Sequence, residues 1–425
     1  MVISFKNMFD KIKNFSEIAI TALFRHKLRA VLTILSITVG ITAVIVVLSA
    51  GQAIEDFITG QITMFGTDWI EIEVKVPATA QTSMENAGGI AQGITITTLK
   101  EKDMEEIKKY PNISDAYAGA VGSEVMTYQD KNKIGMIFGV TEGFSRVDTG
   151  EVAEGRFFTD AEDKGLAKVV VIGSRLKETF FGDEDAIGKT IRIKKHNFKV
   201  IGVMAERGSA GAFSMDDMVI MPLRSLQKLI MGIDYVSFIL GTLKDKSLGN
   251  MTVADLNLVM RDLHDITDPI RDDFAIMTAD QAMNMMDVVT GAIKILLFAL
   301  ACISLVVGGV GIMNVMYVSV AERTFEIGLR KALGAKYANI LNQFLTEAVI
   351  ITFIGGILGI VLGIFLTFMI SFIATNFLGF TWKFYISIIY IALAVGISVL
   401  VGLLSGIYPA RSAASMEPIV ALRKE

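Results

Sequence analysis

Few residue patterns in this sequence match a catalytic or metal-binding site. Gly188-Lys189-Thr190 has the end of the phosphate-binding pattern GxxxxGKS/T, but Asp183 occupies the position of its first glycine and a strand pattern follows Thr190. No GxSxG or HExxH pattern occurs, and the single cysteine and the histidines are widely separated. Because a metal site needs several such ligands together, we predict no ATP site, no catalytic residue and no metal site. The histidines are His26, His196 and His264.

A charged segment between two apolar runs has a different pattern. Glu326 and Arg330 are four residues apart, the spacing of an ion pair on a helix, and Gly334 is a plausible helix end. Its apolar residues recur on one face of such a helix: Phe325, Leu329 and Leu333. The pattern therefore predicts a short amphipathic helix that needs a partner surface. An ordinary basic loop beside the membrane is the alternative.

Four apolar runs around this segment are long enough to cross a bilayer, which needs about 20 residues of helix. They cover residues 28–50, 289–320, 340–373 and 384–408. The first run is longer than the core of a signal peptide and has 27 residues before it, so we interpret it as a retained helix. No run has an ionisable residue at its centre, which argues against an ion-coupled transporter.

The distribution of charge predicts the orientation. Lysine and arginine flank the runs in three segments, 1–27, 321–339 and 409–425, which we place in the cytoplasm. The first of these, with Phe5, Met8, Phe9 and Ile12 on one face, favours an interfacial amphipathic helix over a disordered tail. Residues 51–288 hold 37 acidic and 25 basic groups. This acidic balance argues against nucleic-acid binding.

Residues 51–288 are predicted to form an extracytoplasmic α+β domain, since strand and helix patterns alternate without a βαβ order. Thr98 and Glu101 have the spacing of a capping box for a helix that ends before Pro111, and a second helix is predicted to end at Gly182. Residues 77–94 have the composition of a mobile loop. The predicted strands are Trp69–Val76, Val169–Ile172 and a hairpin over Thr190–Met204 that turns at His196–Asn197.

Glycines recur on the apolar runs at helical spacing. Gly355, Gly359 and Gly363 share one face of the third run, and Gly402 and Gly406 share one face of the fourth. Small residues at this spacing allow close helix packing. The spacing leaves open whether the packing is within one chain or across a dimer.

The sequence resembles MacB/FtsX-type ABC transporter permeases, in particular a macrolide-exporter-like permease subunit without a fused ATPase. ERTFEIGLRKALGA resembles the signature ERT.EIG.RKA.GA of that family, and ALFRHKLRAVLTILSITVGITAVI resembles its first span. GRFFTDAEDKGLAKVVVIGSRLKETFFG, IGKTIRI and FKVIGVM resemble its outer domain, and YPARSAASMEPIVALR resembles its C-terminus. The resemblance covers nearly the whole chain in the same order.

The resemblance implies a multi-pass protein of the plasma or inner membrane with cytoplasmic termini, working as a dimer with two ABC ATPase subunits. The ATPase is expected to be a separate chain that binds ATP and Mg²⁺, so this chain has no cofactor. A distal insert is expected near residues 110–212. Charge reversal at Arg330 or Lys331 is expected to uncouple the ATPase without unfolding the chain. The residues that the resemblance implies for ATPase docking are Glu322, Arg323, Glu326, Gly328, Arg330, Lys331 and Gly334.

The implied function is efflux of peptides, macrolide-like drugs or other amphiphiles. The alternatives are a permease that releases lipoproteins or lipids, a non-transporting regulator of a cell-wall hydrolase, and a four-span receptor. The sequence leaves open the substrate, an extracytoplasmic adaptor or outer-membrane duct, and whether the dimer pairs identical chains.

Overall fold

The computed structural model forms two compact units. The helical unit lies within Met1–Asp56, Val288–Leu378 and Trp382–Glu425, and the inserted domain is Phe57–Asp287. The predicted N-terminal amphipathic helix and the loop at 77–94 lie outside the residues that the structure describes. The described residues are 27–63, 66–76, 96–207, 209–210, 213–377 and 384–423.

Within the described ranges, four helices are long and apolar enough to cross a membrane. We call them the first to fourth membrane helices: Lys27–Thr63, Ala279–Glu322, Tyr337–Phe377 and Ile388–Ser415. This number agrees with the four predicted runs.

Three membrane helices extend past both ends of the predicted spans, because backbone hydrogen bonding continues through polar residues that an apolar criterion excludes. The fourth begins later than predicted, after Ser387, whose hydroxyl accepts the backbone N–H of Ile389 at 3.2 Å. It then continues through Pro409 to Ser415, so the predicted tail from residue 409 is largely helical.

Two short helices accompany the membrane helices. The loop helix, Thr324–Ala332, lies between the second and third membrane helices and confirms the predicted amphipathic helix. It ends before Gly334, whose φ of +94° is a left-handed conformation that glycine adopts without strain. The C-terminal helix, Pro418–Arg423, was not predicted.

The inserted domain is built on one mixed sheet of ten strands. The strands are β1 Trp69–Val74, β2 Ile113–Tyr128, β3 Lys131–Val140, β4 Val152–Gly155, β5 Val169–Ile172, β6 Thr190–Ile193, β7 His196–Met204, β8 Ser209–Ala210, β9 Phe213–Ser214, β10 Val219–Pro222, β11 Phe238–Leu243 and β12 Phe274–Thr278. The order in the sheet is β12-β1-β11-β2-β3-β10-β5-β7-β4, β6 pairs with both β2 and β7, and β8 and β9 form a separate hairpin. Among these described strands, only the β3–β10 and β5–β7 pairs are parallel.

The expected distal insert at 110–212 does not form a sheet of its own. Strand β10 begins at Val219, beyond the expected end of the insert, yet it pairs with β3 on one side and β5 on the other. Strand β11 pairs with β2 in the same sheet. Hydrogen bonding between strands therefore continues across the expected boundary at residue 212.

Alternation along the strands gives this sheet two different faces. On one face, Ile70 and Ile72 of β1 belong to a core that three helices cover: Glu101–Ile107, Ser174–Phe181 and Gly249–Leu263. On the other face, Trp69 belongs to a second cluster with Tyr117 and Phe144.

Most local predictions in this domain agree with the structure. Strand β5 has the predicted bounds, and the helix Ser174–Phe181 ends at Gly182. The hairpin turns one residue pair earlier than predicted, at Lys194–Lys195, with Lys194 at a φ of +56°. The predicted Thr98 cap was wrong. Asp103 caps that helix by accepting the backbone N–H of Lys100 at 2.7 Å.

A buried histidine joins three segments of the inserted domain. His264 lies after the helix Gly249–Leu263, with its side chain 4% exposed. Its Nδ1 is 2.8 Å from an oxygen of Asp273, and its Nε2 is 3.3 Å from an oxygen of Asp103. Hydrogen bonds to Asp103 and then Asp273 raise the pKa of His264 to about 9. The imidazolium therefore stabilises two carboxylates that burial would otherwise penalise.

We predict that His264→Gln lowers the free energy of unfolding by about 2 kcal/mol at pH 6. The folded-state pKa, about 9, lies above the ordinary value of 6.5. The stabilisation is therefore complete below pH 6.5 and disappears as the pH rises through 9. Thermal unfolding of the full chain at pH 6, 8 and 10 measures the difference. His196→Gln is the matched control, and an effect of His264→Gln that is equal at all three pH values would contradict the assignment.

Candidate functional site

Arg323 ties the loop helix to the third membrane helix. Its guanidinium lies 3.1 Å from the carboxylate of Glu347 and 3.0 Å from that of Glu326. The side chain of Glu347 is nearly fully buried, and the Arg323 guanidinium lies over the Phe344 ring at 5.5 Å. A buried carboxylate depends strongly on its counter-ion, so Arg323 is part of the helix attachment.

Two further residues predicted to dock an ATPase also have partners inside this chain. Arg330 is 2.6 Å from the carboxylate of Glu326 and donates to the side-chain oxygen of Gln343 at 2.6 Å. Lys331 donates to the backbone oxygen of Met416 at 2.6 Å. Charge reversal at either position would break these contacts. Reversal would therefore change contacts within the chain as well as any contact with a partner, and the expectation that the chain stays folded remains a prediction.

Gly328 is the contact point between the loop helix and the C-terminal helix. A Cβ atom on Gly328 would lie 2.7 Å from Cβ of Ala421, so only glycine permits this approach. Nothing in the apolar pattern around Ala421 distinguished this packing from a free tail. The C-terminal helix is a part of the site that sequence reasoning missed.

The exposed side of the loop helix is apolar. Phe325 is 58% exposed, Leu329 is 46% and Leu333 is 81%. Glu322 also lies at the surface, just before this helix, and Gly334 ends it. On the C-terminal helix, Ile419 and Val420 are exposed as well. Several of the predicted docking residues therefore hold the loop helix in place, namely Arg323, Gly328, Arg330 and Lys331. The exposed apolar stripe of Phe325, Leu329 and Leu333 was not among the predicted docking residues.

The third membrane helix packs against the first through its glycine face. A Cβ atom on Gly359 would lie 2.7 Å from Cβ of Ile41 and 2.8 Å from the backbone oxygen of Thr38. The hydroxyl of Thr38 donates to the backbone oxygen of Gly355 at 3.2 Å. The same close approach recurs along the two helices, at Gly355 against Ile37 and at Gly363 against Ile45.

The other membrane helices also pack through close contacts at glycines. A Cβ atom on Gly406 of the fourth helix would lie 2.6 Å from Cβ of Ala348, and Gly402 approaches Thr352. Both partners are on the third helix. On the first helix, Gly40 lies under Leu305 of the second helix, and Lys294 of the second pairs with Glu55. These glycine contacts therefore lie within one chain.

Together these features define the class of protein. It is a polytopic membrane protein with a four-helix unit, a large mixed α/β domain inserted after the first helix, and an amphipathic loop helix between the second and third. Among the residues that the structure describes, no group of three His, Cys, Asp or Glu could hold a metal ion.

The family follows from two sequence matches. Residues 30–257 match the family described as MacB-like periplasmic core domain, and residues 298–418 match the family described as FtsX-like permease C-terminal. The chain therefore belongs to the MacB family, with an FtsX-like permease region in its C-terminal part.

Individual relatives agree with this family. A Chlorobaculum tepidum protein named macrolide export ATP-binding/permease protein MacB is 35% identical over 411 residues, and a Wolinella succinogenes protein of the same name is 33% identical over 410. Each alignment covers 96% of this chain, and the chain spans 61% and 60% of the respective relatives. The solved periplasmic region of MacB from Actinobacillus actinomycetemcomitans is 21% identical with a TM-score of 0.44, covering 52% of this chain and 94% of that structure.

We predict that Gly359→Leu separates the first and third membrane helices and destabilises the chain by about 1–3 kcal/mol. The leucine would have to displace Ile41 and the backbone at Thr38. Thermal unfolding of the full chain in detergent measures the effect. Gly396→Leu on the fourth helix is the control, because a Cβ there meets nothing within 4 Å. Equal stability of both variants would show that the glycine face does not set the helix packing.

We predict that Arg323→Met destabilises the chain by about 3 kcal/mol, because it leaves the buried Glu347 carboxylate without its partner. Glu347→Leu should cost less, because the Arg323 guanidinium keeps Glu326 at 3.0 Å. The double variant should lose clearly less than the sum of the two single losses. A double-mutant cycle on thermal or denaturant unfolding gives the coupling between the two positions. Additive losses would mean that the two side chains act independently.

Proposed function

We propose that this chain is the permease subunit of an ABC transporter. In this role it transmits ATP-driven motion across the membrane for efflux of peptides, macrolide-like drugs or other amphiphiles. The main support is the loop helix, which presents an apolar stripe outward while Arg323 ties it to the buried Glu347 of the third membrane helix. A surface helix attached to a membrane helix through a buried ion pair suits the transfer of a mechanical displacement.

The proposed partner is a separate ABC ATPase that binds ATP and Mg²⁺, with two permease chains in the complex. The basic loop and both termini would then face the cytoplasm, and the inserted domain would lie on the outer side, where an adaptor could bind. The names of the relatives, which combine ATP binding with a permease, support an ATPase partner.

Motion would pass from the ATPase first to the loop helix, then to the third membrane helix and then to the first. Closure of two ATPases would push on Phe325, Leu329 and Leu333, and the Arg323–Glu347 pair would pass this displacement to the third helix. The glycine face would then pass it to the first helix. The chain enters the inserted domain from the first helix and leaves it into the second, so a change in their spacing would act on that domain.

Cargo would be moved by the inserted domain on the outer side, without a charged central pore. Among the described residues of the membrane helices, Glu55 pairs with Lys294, and Glu347 pairs with Arg323 within this chain. An aqueous path for charged solutes would need ionisable or polar groups near the middle of the membrane. The size of the inserted domain favours this function over a regulator of a cell-wall hydrolase.

We predict that Leu329→Asp combined with Leu333→Asp weakens binding of the cognate ATPase at least tenfold. Each buried leucine contributes about 1.5–3 kcal/mol to an interface, and neither side chain holds the loop helix in place. Co-purification with candidate ABC ATPases, followed by measurement of ATP hydrolysis with and without the permease, tests the prediction.

Asn339→Asp is the matched control, because it adds a negative charge at an exposed position near the loop helix. It should leave both binding and ATP hydrolysis unchanged. Normal ATPase binding by the Leu329→Asp, Leu333→Asp variant would show that the stripe is not the docking surface. No complex of the wild-type chain with any candidate ATPase would overturn the transporter proposal and favour a receptor.

A further inference from the structure

The second face of the sheet in the inserted domain holds a cavity of about 440 Å³. The volume lies in the range of cavities that hold small organic ligands, about 300–1,000 Å³. Most of the lining is apolar or aromatic, and neighbouring strands β1, β11, β2 and β3 form its floor. The lining includes Trp69, Glu71, Glu73, Tyr117, Phe138 and Phe238.

The floor of the cavity follows from the strand register. Phe238 on β11 pairs with Gly119 on β2, and its ring lies directly over that glycine, where a Cβ would clash. The Phe238 ring is 5.9 Å from the Tyr117 ring in an edge-to-face arrangement. Gly119 therefore makes room for an aromatic wall on the sheet surface.

Two carboxylates enter this apolar space. Glu71 and Glu73 alternate with Ile70 and Ile72 of the core, so both face the cavity. Glu71 lies between Leu240 and Met277 on the neighbouring strands. Neither glutamate side chain has a hydrogen bond or an ion pair with any residue that the structure describes. Two adjacent carboxylates without a partner in an apolar cavity are costly unless a cation joins them.

The acidity of these groups agrees with the geometry. Burial, together with the neighbouring charge of Glu73, raises the pKa of Glu71 to about 7. Burial also raises the pKa of Glu73. A bound cation would reverse this effect by favouring the ionised forms.

Other charged groups near the cavity leave these carboxylates uncompensated. The Arg207 guanidinium is already paired with Asp148 at 2.5 Å. Lys75, the residue after β1, is buried, yet it forms no ion pair with Glu71 or Glu73 among the described residues. Burial, then the charges of Asp148 and Glu71, raise the pKa of Tyr117, so this phenol stays neutral.

We propose that this cavity binds a small lipophilic cation, such as an organic ammonium or phosphonium with apolar substituents. The apolar substituents would fill the space over Phe138 and Leu240, and the positive centre would lie beside Glu71 and Glu73. The rings of Trp69, Tyr117 and Phe238 offer faces for cation–π contact. Binding does not require an ATPase, and only the further step of identifying this ligand as a transported cargo rests on the proposed function.

The test uses tetraphenylphosphonium, a permanent lipophilic cation, with tetraphenylborate as an anion of nearly the same shape. Equilibrium dialysis against the full chain in lipid nanodiscs, corrected with empty nanodiscs, gives the saturable binding of each probe. We expect saturable binding of the cation and none of the anion. Because the probe does not titrate, its binding should strengthen from pH 6 to pH 8 as Glu71 loses its proton.

Glu71→Gln together with Glu73→Gln should weaken cation binding about tenfold or more and remove its pH dependence. The glutamines keep the shape of the side chains, and thermal unfolding checks that the fold is retained. Glu178→Gln, on an exposed helix surface of the same domain, is the control and should bind as the wild type does. Equal binding of the two probes, or unchanged cation binding by the double variant, would overturn the proposal. Since no ATPase is present, neither result depends on whether the transporter proposal holds.

Discussion

The close approach of the first and third membrane helices is the constraint on which the helical unit depends. Helices in a bilayer gain little from burying apolar side chains against one another, so they associate through tight packing and interhelical hydrogen bonds. Gly355, Gly359 and Gly363 provide that packing against three isoleucines of the first helix, and Thr38 adds a hydrogen bond. The fourth helix packs on the third, and the loop helix is attached to the third through Arg323 and Glu347. The third helix is therefore the common support of the unit.

The parts of the fold that depend on local composition could be predicted from the sequence. Apolar length gave four membrane helices, a four-residue glycine repeat gave their packing faces, and Gly334 gave the end of the loop helix. Contacts between distant segments could not be predicted in this way. Arg323 and Glu347 are 24 residues apart, and His264 meets a carboxylate 161 residues away. Such pairs follow from the tertiary fold, and a single sequence contains no local signal for them.

The candidate site could likewise be predicted only in part from the sequence. The resemblance of the loop to a known signature implied docking by five charged residues and two glycines of this segment. In the structure Arg323, Arg330 and Lys331 have partners within the chain, and in our proposal docking therefore lies on the exposed apolar stripe. For strand β1, too, the sequence pattern and the structure differ. Alternation of Glu71 and Glu73 with isoleucines predicts a half-buried strand with one face in water, yet that face lines an apolar cavity.

The spacing of the glycine contacts has a geometric consequence for motion. An α-helix has 3.6 residues per turn, so contacts repeated every four residues form a row that runs obliquely to the helix axis. Two helices that pack along such rows cross at an angle of about −40 to −50°. Two helices that cross at this angle touch over a few turns and diverge on either side, so the crossing acts as a pivot. Glu347 lies 12 residues from Gly359, ~18 Å along the helix. A rotation of ~5° about the pivot would therefore displace the attachment point of the loop helix by ~1.5 Å, while the glycine contacts close to the pivot would shift by much less.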